Sequence, residues 1–413
     1  MAIIKPFCAW RPLPSVAEHL ACRPYDVMNR QEAKMQAHDN KLSFLHVIRA
    51  EIDLPDDIDE HHPSVYEQAK KAFEKFAQNG IFVQDPNACL YVYEQEWRGR
   101  TQTGIMTLLD VADYEQDIIK KHEHTRPEKE QDRITHILTT CLHSEPILTA
   151  YRQINEIDAI VAAICAQTPC YNFSTDDGIR HTFWVIEQPK TIEQLCILFK
   201  ERVPVIYIAD GHHRAASSAK VAQKMRNENP AHNGEEAYNS ILAVVFPDKQ
   251  LQIIDYNRVV KSLNGWNNAD FLAQVAQKFQ VETVPSAYQP DSPRHFGMYF
   301  NRQWYQLTAS EQLYTSQNPV DLLDISILSE HLLKPILGIE DQRTDKRIEF
   351  VGGIRGLKEL QQRVDSGEMA VAFAIYPVSM QQLLSVADAG QVMPPKSTWF
   401  EPKLRSGLAV HAF

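Results

Sequence analysis

Apolar residues recur along this chain with two different periods, and the alternation between them sketches its elements. After Pro63-Ser64, the residues Val65, Ala69, Ala72, Phe73 and Phe76 fall on one face of a helix that stops at Gly80. Cys89–Trp97 and Thr101–Leu109 are aromatic or β-branched runs around Arg98-Gly99-Arg100, which predicts a hairpin. Helices are expected over Glu128–Leu142, behind Pro127, and over Glu156–Ala166, where Ile157, Ile160, Val161, Ile164 and Cys165 make the inward stripe. From about 170 the element types alternate tightly: a strand over Thr182–Ile186, a helix from Thr191 with Gln194 as a capping-box pair, a continuous apolar strand over Val203–Ala209, then another helix. Ser240–Phe246 and Gln250–Tyr256 read as a second hairpin turning at Pro247-Asp248. The last third mixes helices from Phe271, Val320 and Ile354 with a hairpin across Asn301-Arg302 and strands over Arg347–Val351 and Met369–Tyr376. The pattern is mixed α/β or α+β, in two or three tightly joined domains.

Composition narrows the class. With 413 residues, 44% of them hydrophobic and 23% charged, the chain is globular rather than disordered or fibrous. A formal net charge of -11 argues against a general nucleic-acid binder, because phosphate affinity needs clustered positive charge. The longest apolar runs, such as Ile241–Phe246, are far below the roughly 20 residues of a membrane span. The opening MAIIKPFCAWRPLP lacks a secretory pattern, and the seven scattered cysteines contain no Cys-x-x-Cys pair. A cytoplasmic protein with reduced thiols and no membrane partner is the reading, and a homo-oligomer is compatible with it.

The most informative stretch is Val203-Pro-Val-Ile-Tyr-Ile-Ala-Asp210-Gly211-His212-His213-Arg214, followed by Ala-Ala-Ser-Ser-Ala. An apolar strand runs into a glycine turn and directly into a small-residue helix. Helix N-termini carry unpaired N–H groups and about half a positive charge, and so favour anions. Gly211 permits close backbone approach, and Arg214 can grip a phosphate with two parallel hydrogen bonds. The predicted phosphate or nucleotide contacts are Gly211, His212, His213 and Arg214, with Asp210 beside them as a candidate catalytic carboxylate. Neither a Walker loop nor a GxGxxG turn occurs. The plain structural alternative has Asp210 capping the helix while His212, His213 and Arg214 face solvent. A metal held by His212 and His213 is disfavoured, since neighbouring helical residues point about 100° apart.

Further polar groups can complete a site. Lys120-Lys121-His122-Glu123-His124-Thr125-Arg126, with Lys129, Asp132 and Arg133 on the next helix, reads first as a solvated charged surface; as a functional segment it offers Glu123 or His122 as a general base, with His124 and Arg126 nearby. Pro24-Tyr25-Asp26-Val27 is a rigid turn presenting a carboxylate, and the Pro-rich tail can bring Lys396 and Lys403 to an anion or serve as a packing strap for Trp399 and Phe400. Asp176-Asp177-Gly178 reads as a hairpin turn.

Asp210-Gly-His-His-Arg214 with its small-residue helix resembles the phosphate-binding signature of the ParB and sulfiredoxin superfamily, and in letters the free serine kinases of that group. Over most of its length the chain resembles the bacterial and archaeal domain-of-unknown-function 1015 family, through Ile4-Lys-Pro-Phe7, Pro24–Val27, Phe44–Arg49, His122–Thr125, Asp210–Arg214, Met393–Thr398 and Ser406–Leu408. The resemblance implies a ParB/sulfiredoxin-like core at about 169–265, flanked by α+β regions at 1–168 and 266–413. It also implies ATP or ADP with Mg2+ as cofactor. Two functions follow from it: a nucleotide-dependent phosphotransferase acting on a small hydroxyl-bearing metabolite, as a free serine kinase does, or a nucleotide-binding regulatory switch without efficient chemistry.

Overall fold

The hairpin expected around Arg98 forms as strands Leu90–Trp97 and Arg100–Asp110, with Arg98 and Gly99 both at positive φ as a two-residue turn of the primed type requires. It lies within a nine-stranded sheet whose path runs Ile119–Lys120, Ile206–Asp210, Ile147–Tyr151, Ser240–Pro247, Arg100–Asp110, Leu90–Trp97, Arg180–Ile186 and Tyr171–Ser174; Ile4–Lys5 joins it on Arg100–Asp110. Two pairings are parallel, Ile206–Asp210 with Ile119–Lys120 and Ser240–Pro247 with Ile147–Tyr151; the others are antiparallel.

This computed structural model describes residues 1–413 and divides into two units: Met1–Lys121, Thr125–Leu251 and Pro402–Phe413 form the first, and His122–His124 with Gln252–Glu401 the second. The fold is α+β. In the first unit the apolar strand Ile206–Asp210 is buried over Ile206–Ala209, as a strand covered on both faces should be. Its core joins Ile147, Ile206 and Ile208 to Leu195 and Phe199 of helix Pro189–Arg202 and to Ala215 and Ala219 of helix His212–Glu228. Ala215, Ala216, Ser217, Ser218 and Ala219 are all buried, and their small side chains let helix Pro127–Thr140 approach closely enough for the Ser217 hydroxyl to reach the Glu130 carbonyl at 3.2 Å.

The second unit is built on a six-stranded antiparallel sheet in the order Phe279–Val284, Gln303–Ala309, His295–Phe300, Val371–Ile375, Tyr256–Val260, Ile348–Gly352. Val259, Tyr299, Trp304, Leu360 and Ala372 lie in its core, and the hairpin across Asn301-Arg302 forms as expected. No helix is long and apolar enough to cross a membrane.

Three expectations differ from this architecture. Helix Pro189–Arg202 starts two residues before Thr191, because Pro189 at the first helical position presets φ and lacks the N–H that a cap would satisfy; Thr191 and Gln194 form no capping box. Ser240–Pro247 makes no hairpin with the segment that follows it. Both of its edges are occupied, by Arg100–Asp110 and Ile147–Tyr151, while Ile253–Ile254 pairs with Trp399–Phe400 and Tyr256–Val260 with Ile348–Gly352. The line drawn at 168/169 crosses a continuous sheet, since Ile147–Tyr151 bonds to strands on the far side of it, and the chain passes to its second unit after Leu251 rather than after 265.

Candidate functional site

Strand Ile206–Asp210 ends beside Gly211, whose φ of +96° turns the chain directly into helix His212–Glu228. A Cβ at 211 would stand 2.9 Å from Ile147 Cγ2 and 3.0 Å from Arg214 Cζ, so glycine is required both by the dihedral and by the space. Lacking a side chain, Gly211 cannot cap the helix it begins.

Arg214, in the first turn, is buried at 7% exposure. Its Nη1 donates to the Pro146 carbonyl and its Nη2 to Asp210 Oδ2 at 3.1 Å, while Asp26 Oδ2 stands 3.9 Å from the same Nη2. Burial opposes the guanidinium charge, but Asp26, Asp210 and Glu145 outweigh it and raise the pKa. This departs from the expected grip on a ligand phosphate: Nη1 and Nη2 instead hold the protein's own carbonyl and carboxylates, and Arg214 is a permanent cation that brings Asp26 and Asp210 together. Both carboxylates keep partly exposed faces, and Lys403 Nζ stands 3.6 Å from Asp210 Oδ1. His212 does not face solvent either; burial pushes its pKa down to about 4 despite Asp210, which leaves it neutral near pH 7. His213 Nδ1 accepts the Arg126 backbone N–H at 3.4 Å.

Asp26 is placed by a short helical turn, Tyr25–Val27, behind the predicted Pro24. The Tyr25 N–H donates to Glu145 Oε1 at 2.9 Å, and the Arg133 guanidinium lies 4.0 Å from the Tyr25 ring centre. Arg133 reaches Asp132 at 2.8 Å and stands 3.6 Å from Glu145 Oε2. The Ser406 hydroxyl donates to Glu145 Oε1 at 3.2 Å. Sequence reasoning passed over Glu145 and Pro146, and it took Asp132 and Arg133 for a solvated face although both are buried. The one local signal was an acid beside a proline between the apolar runs at Leu142 and Ile147.

The structure gathers Asp26, Asp210, Gly211, His212, His213, Arg214, Arg126 and Lys403 in the first unit. His122, Glu123 and His124 belong to the second unit, as does Lys396. There the His122 carbonyl accepts the Met393 N–H at 2.9 Å, and its Nε2 lies 3.4 Å from the Thr398 hydroxyl. Lys396 Nζ stands 5.8 Å from the Tyr256 ring centre, in the strap whose Trp399–Phe400 segment pairs with Ile253–Ile254. Asp177 sits in the turn expected of it, paired to Arg405 at 2.5 Å and Arg23 at 2.8 Å.

Fold and site together describe an α+β protein whose strand–glycine–helix junction presents two carboxylates on a buried guanidinium. The chain belongs to the family described as "Protein of unknown function (DUF1015)", whose model matches residues 4–326. No curated protein matches it. Similar solved structures include a conserved hypothetical protein from Pyrococcus furiosus, 15% identical with a TM-score of 0.35, covering 74% of this chain and 94% of that one. A free serine kinase in complex with AMP is 12% identical with a TM-score of 0.36, covering 74% and 91%. SbnI with C-terminal truncation, from Staphylococcus aureus, is 13% identical with a TM-score of 0.39, covering 74% and 87%. Likenesses this distant assign no activity to this chain.

Proposed function

We propose that the first unit is a nucleotide-dependent phosphotransferase acting on a small hydroxyl-bearing metabolite, on a core of the ParB/sulfiredoxin type. One observation carries this reading: Asp26 and Asp210 converge on Arg214 at the uncapped N-terminus of helix His212–Glu228. Phosphoryl transfer needs positioning and charge neutralisation more than covalent help from the protein. The helix N-terminus and Lys403 supply positive potential on the phosphate side. The partly exposed carboxylates supply hard oxygen ligands suited to Mg2+, which would offset phosphate charge when bound. Whichever of Asp26 and Asp210 is not engaged with the metal orients the acceptor hydroxyl and accepts its proton. Free serine, the substrate that names the free serine kinases, is the first acceptor to try.

Calorimetric titration with ADP and ATP, with and without Mg2+, tests the binding half, and turnover with a panel of hydroxy metabolites tests the chemistry. We expect nucleotide binding by the wild type, a loss of at least about tenfold in Arg214→Ala, and binding without turnover in Asp26→Asn. Absence of nucleotide binding by the wild type would overturn the reading. Binding without turnover on any acceptor would select the regulatory switch instead.

A further inference from the structure

The second unit carries a feature unrelated to that chemistry. Strands His295–Phe300 and Gln303–Ala309 are joined by Asn301 and Arg302, with φ of +48° and +61°. Two-residue turns of this kind prefer glycine at the second position, and a non-glycine residue there costs on the order of 1 kcal/mol. The strained residue sets a guanidinium at the rim of a cavity of about 290 Å³. Asp365, the last residue of helix Gly356–Asp365, lines the same cavity, its Oδ1 accepting the Tyr299 hydroxyl at 2.9 Å. The cavity lining is mixed: the apolar side chains of Leu263, Phe300, Val364 and Met369, of which Phe300 and Met369 are buried at 3% and 2% exposure, stand beside the amides of Asn268 and Asn301.

Arg302 and Asp365 line one cavity without forming an ion pair with each other. Opposite charges on one cavity that also presents apolar side chains match a ligand that carries both charges itself and an apolar body between them. We propose that this cavity binds a small amphoteric molecule, a free α-amino acid with an apolar side chain: its carboxylate on Arg302, its ammonium on Asp365, its side chain over Phe300 and Met369. The volume corresponds to about ten water-sized groups at roughly 30 Å³ each, which suits one such amino acid. A simple acid would leave Asp365 facing the ligand carboxylate, and a simple amine would leave Arg302 facing an ammonium, so each should bind less well.

Titration calorimetry and thermal melts of the full chain with leucine, methionine and phenylalanine test this, with glycine, isocaproate and isoamylamine as ligands that lack the apolar body, the ammonium and the carboxylate. Arg302→Gly relieves the turn while removing the guanidinium, and Asp365→Asn removes the carboxylate charge at the surface, so both variants should fold. We expect at least one apolar amino acid to bind and raise the melting temperature, and each variant to weaken it by about tenfold or more, as loss of a charge-assisted hydrogen bond should. Asp365→Asn should bind isocaproate better than the wild type does. Absence of binding by all three amino acids, binding undiminished in both variants, or isocaproate binding the wild type as well as leucine does would each overturn the proposal.

Discussion

Glu145 accepts the backbone N–H of Tyr25 at 2.9 Å across 120 residues of sequence, and its neighbour Pro146 lends a carbonyl to Arg214. One dipeptide thus sets both the turn that carries Asp26 and the guanidinium on which Asp26 and Asp210 converge. Because Glu145 is 7% exposed, replacing it with alanine leaves the Tyr25 N–H without its acceptor and removes an acid from beside Arg133. We expect Glu145→Ala to lose about 3 kcal/mol of stability and Glu145→Gln, which keeps an accepting oxygen, to lose about 1 kcal/mol. Urea denaturation checks this; an unchanged midpoint in Glu145→Ala would refute it.

Acid should unfold the protein through its buried imidazoles. Burial pushes the pKa of His136 and His212 down to about 4 and that of His143 and His181 down to about 3, from an ordinary value of 6.5. A folded-state pKa below the unfolded one means that the unfolded chain takes the proton first. Each group's contribution is therefore intact above pH 6.5 and lost as pH falls from there towards its folded value. The slope is about 1.4 kcal/mol per pH unit for each histidine. Denaturation midpoints measured from about pH 7.5 down to about pH 5 should fall steeply, and His143→Gln should flatten the curve. A midpoint independent of pH across that window would contradict the assignment.

Gly211→Ala combines a forced left-handed φ with two contacts that a Cβ cannot make without movement. We expect a loss of about 1–3 kcal/mol, together with weaker nucleotide binding as the Arg214 guanidinium is pushed from its place. Gly99→Ala is the control: its φ is +74° but nothing lies within 4 Å of the added methyl, so only about 1 kcal/mol should be lost. Equal effects of the two substitutions would show that the space around Gly211 is immaterial.

Pattern along the chain determined those elements whose partners are local. The hairpins at Arg98-Gly99 and Asn301-Arg302, the helix behind Pro63 and the strand–glycine–helix junction at Asp210-Gly211 were all legible, since turn chemistry and period act within a few residues. Tertiary structure decided what competes over distance. Ser240–Pro247 chose Arg100–Asp110 and Ile147–Tyr151 over the segment just after it, because an apolar strand pairs with whichever edges the assembled sheet offers. Arg214, read as a hand for a ligand phosphate, became the clasp for Asp26 and Asp210, and Arg133, read as solvated, was buried against Tyr25. A charged side chain carries no mark of its own burial; that depends on whether other segments deliver opposite charges and carbonyls to its nitrogens, and only the folded chain brings Glu145 and Pro146 there.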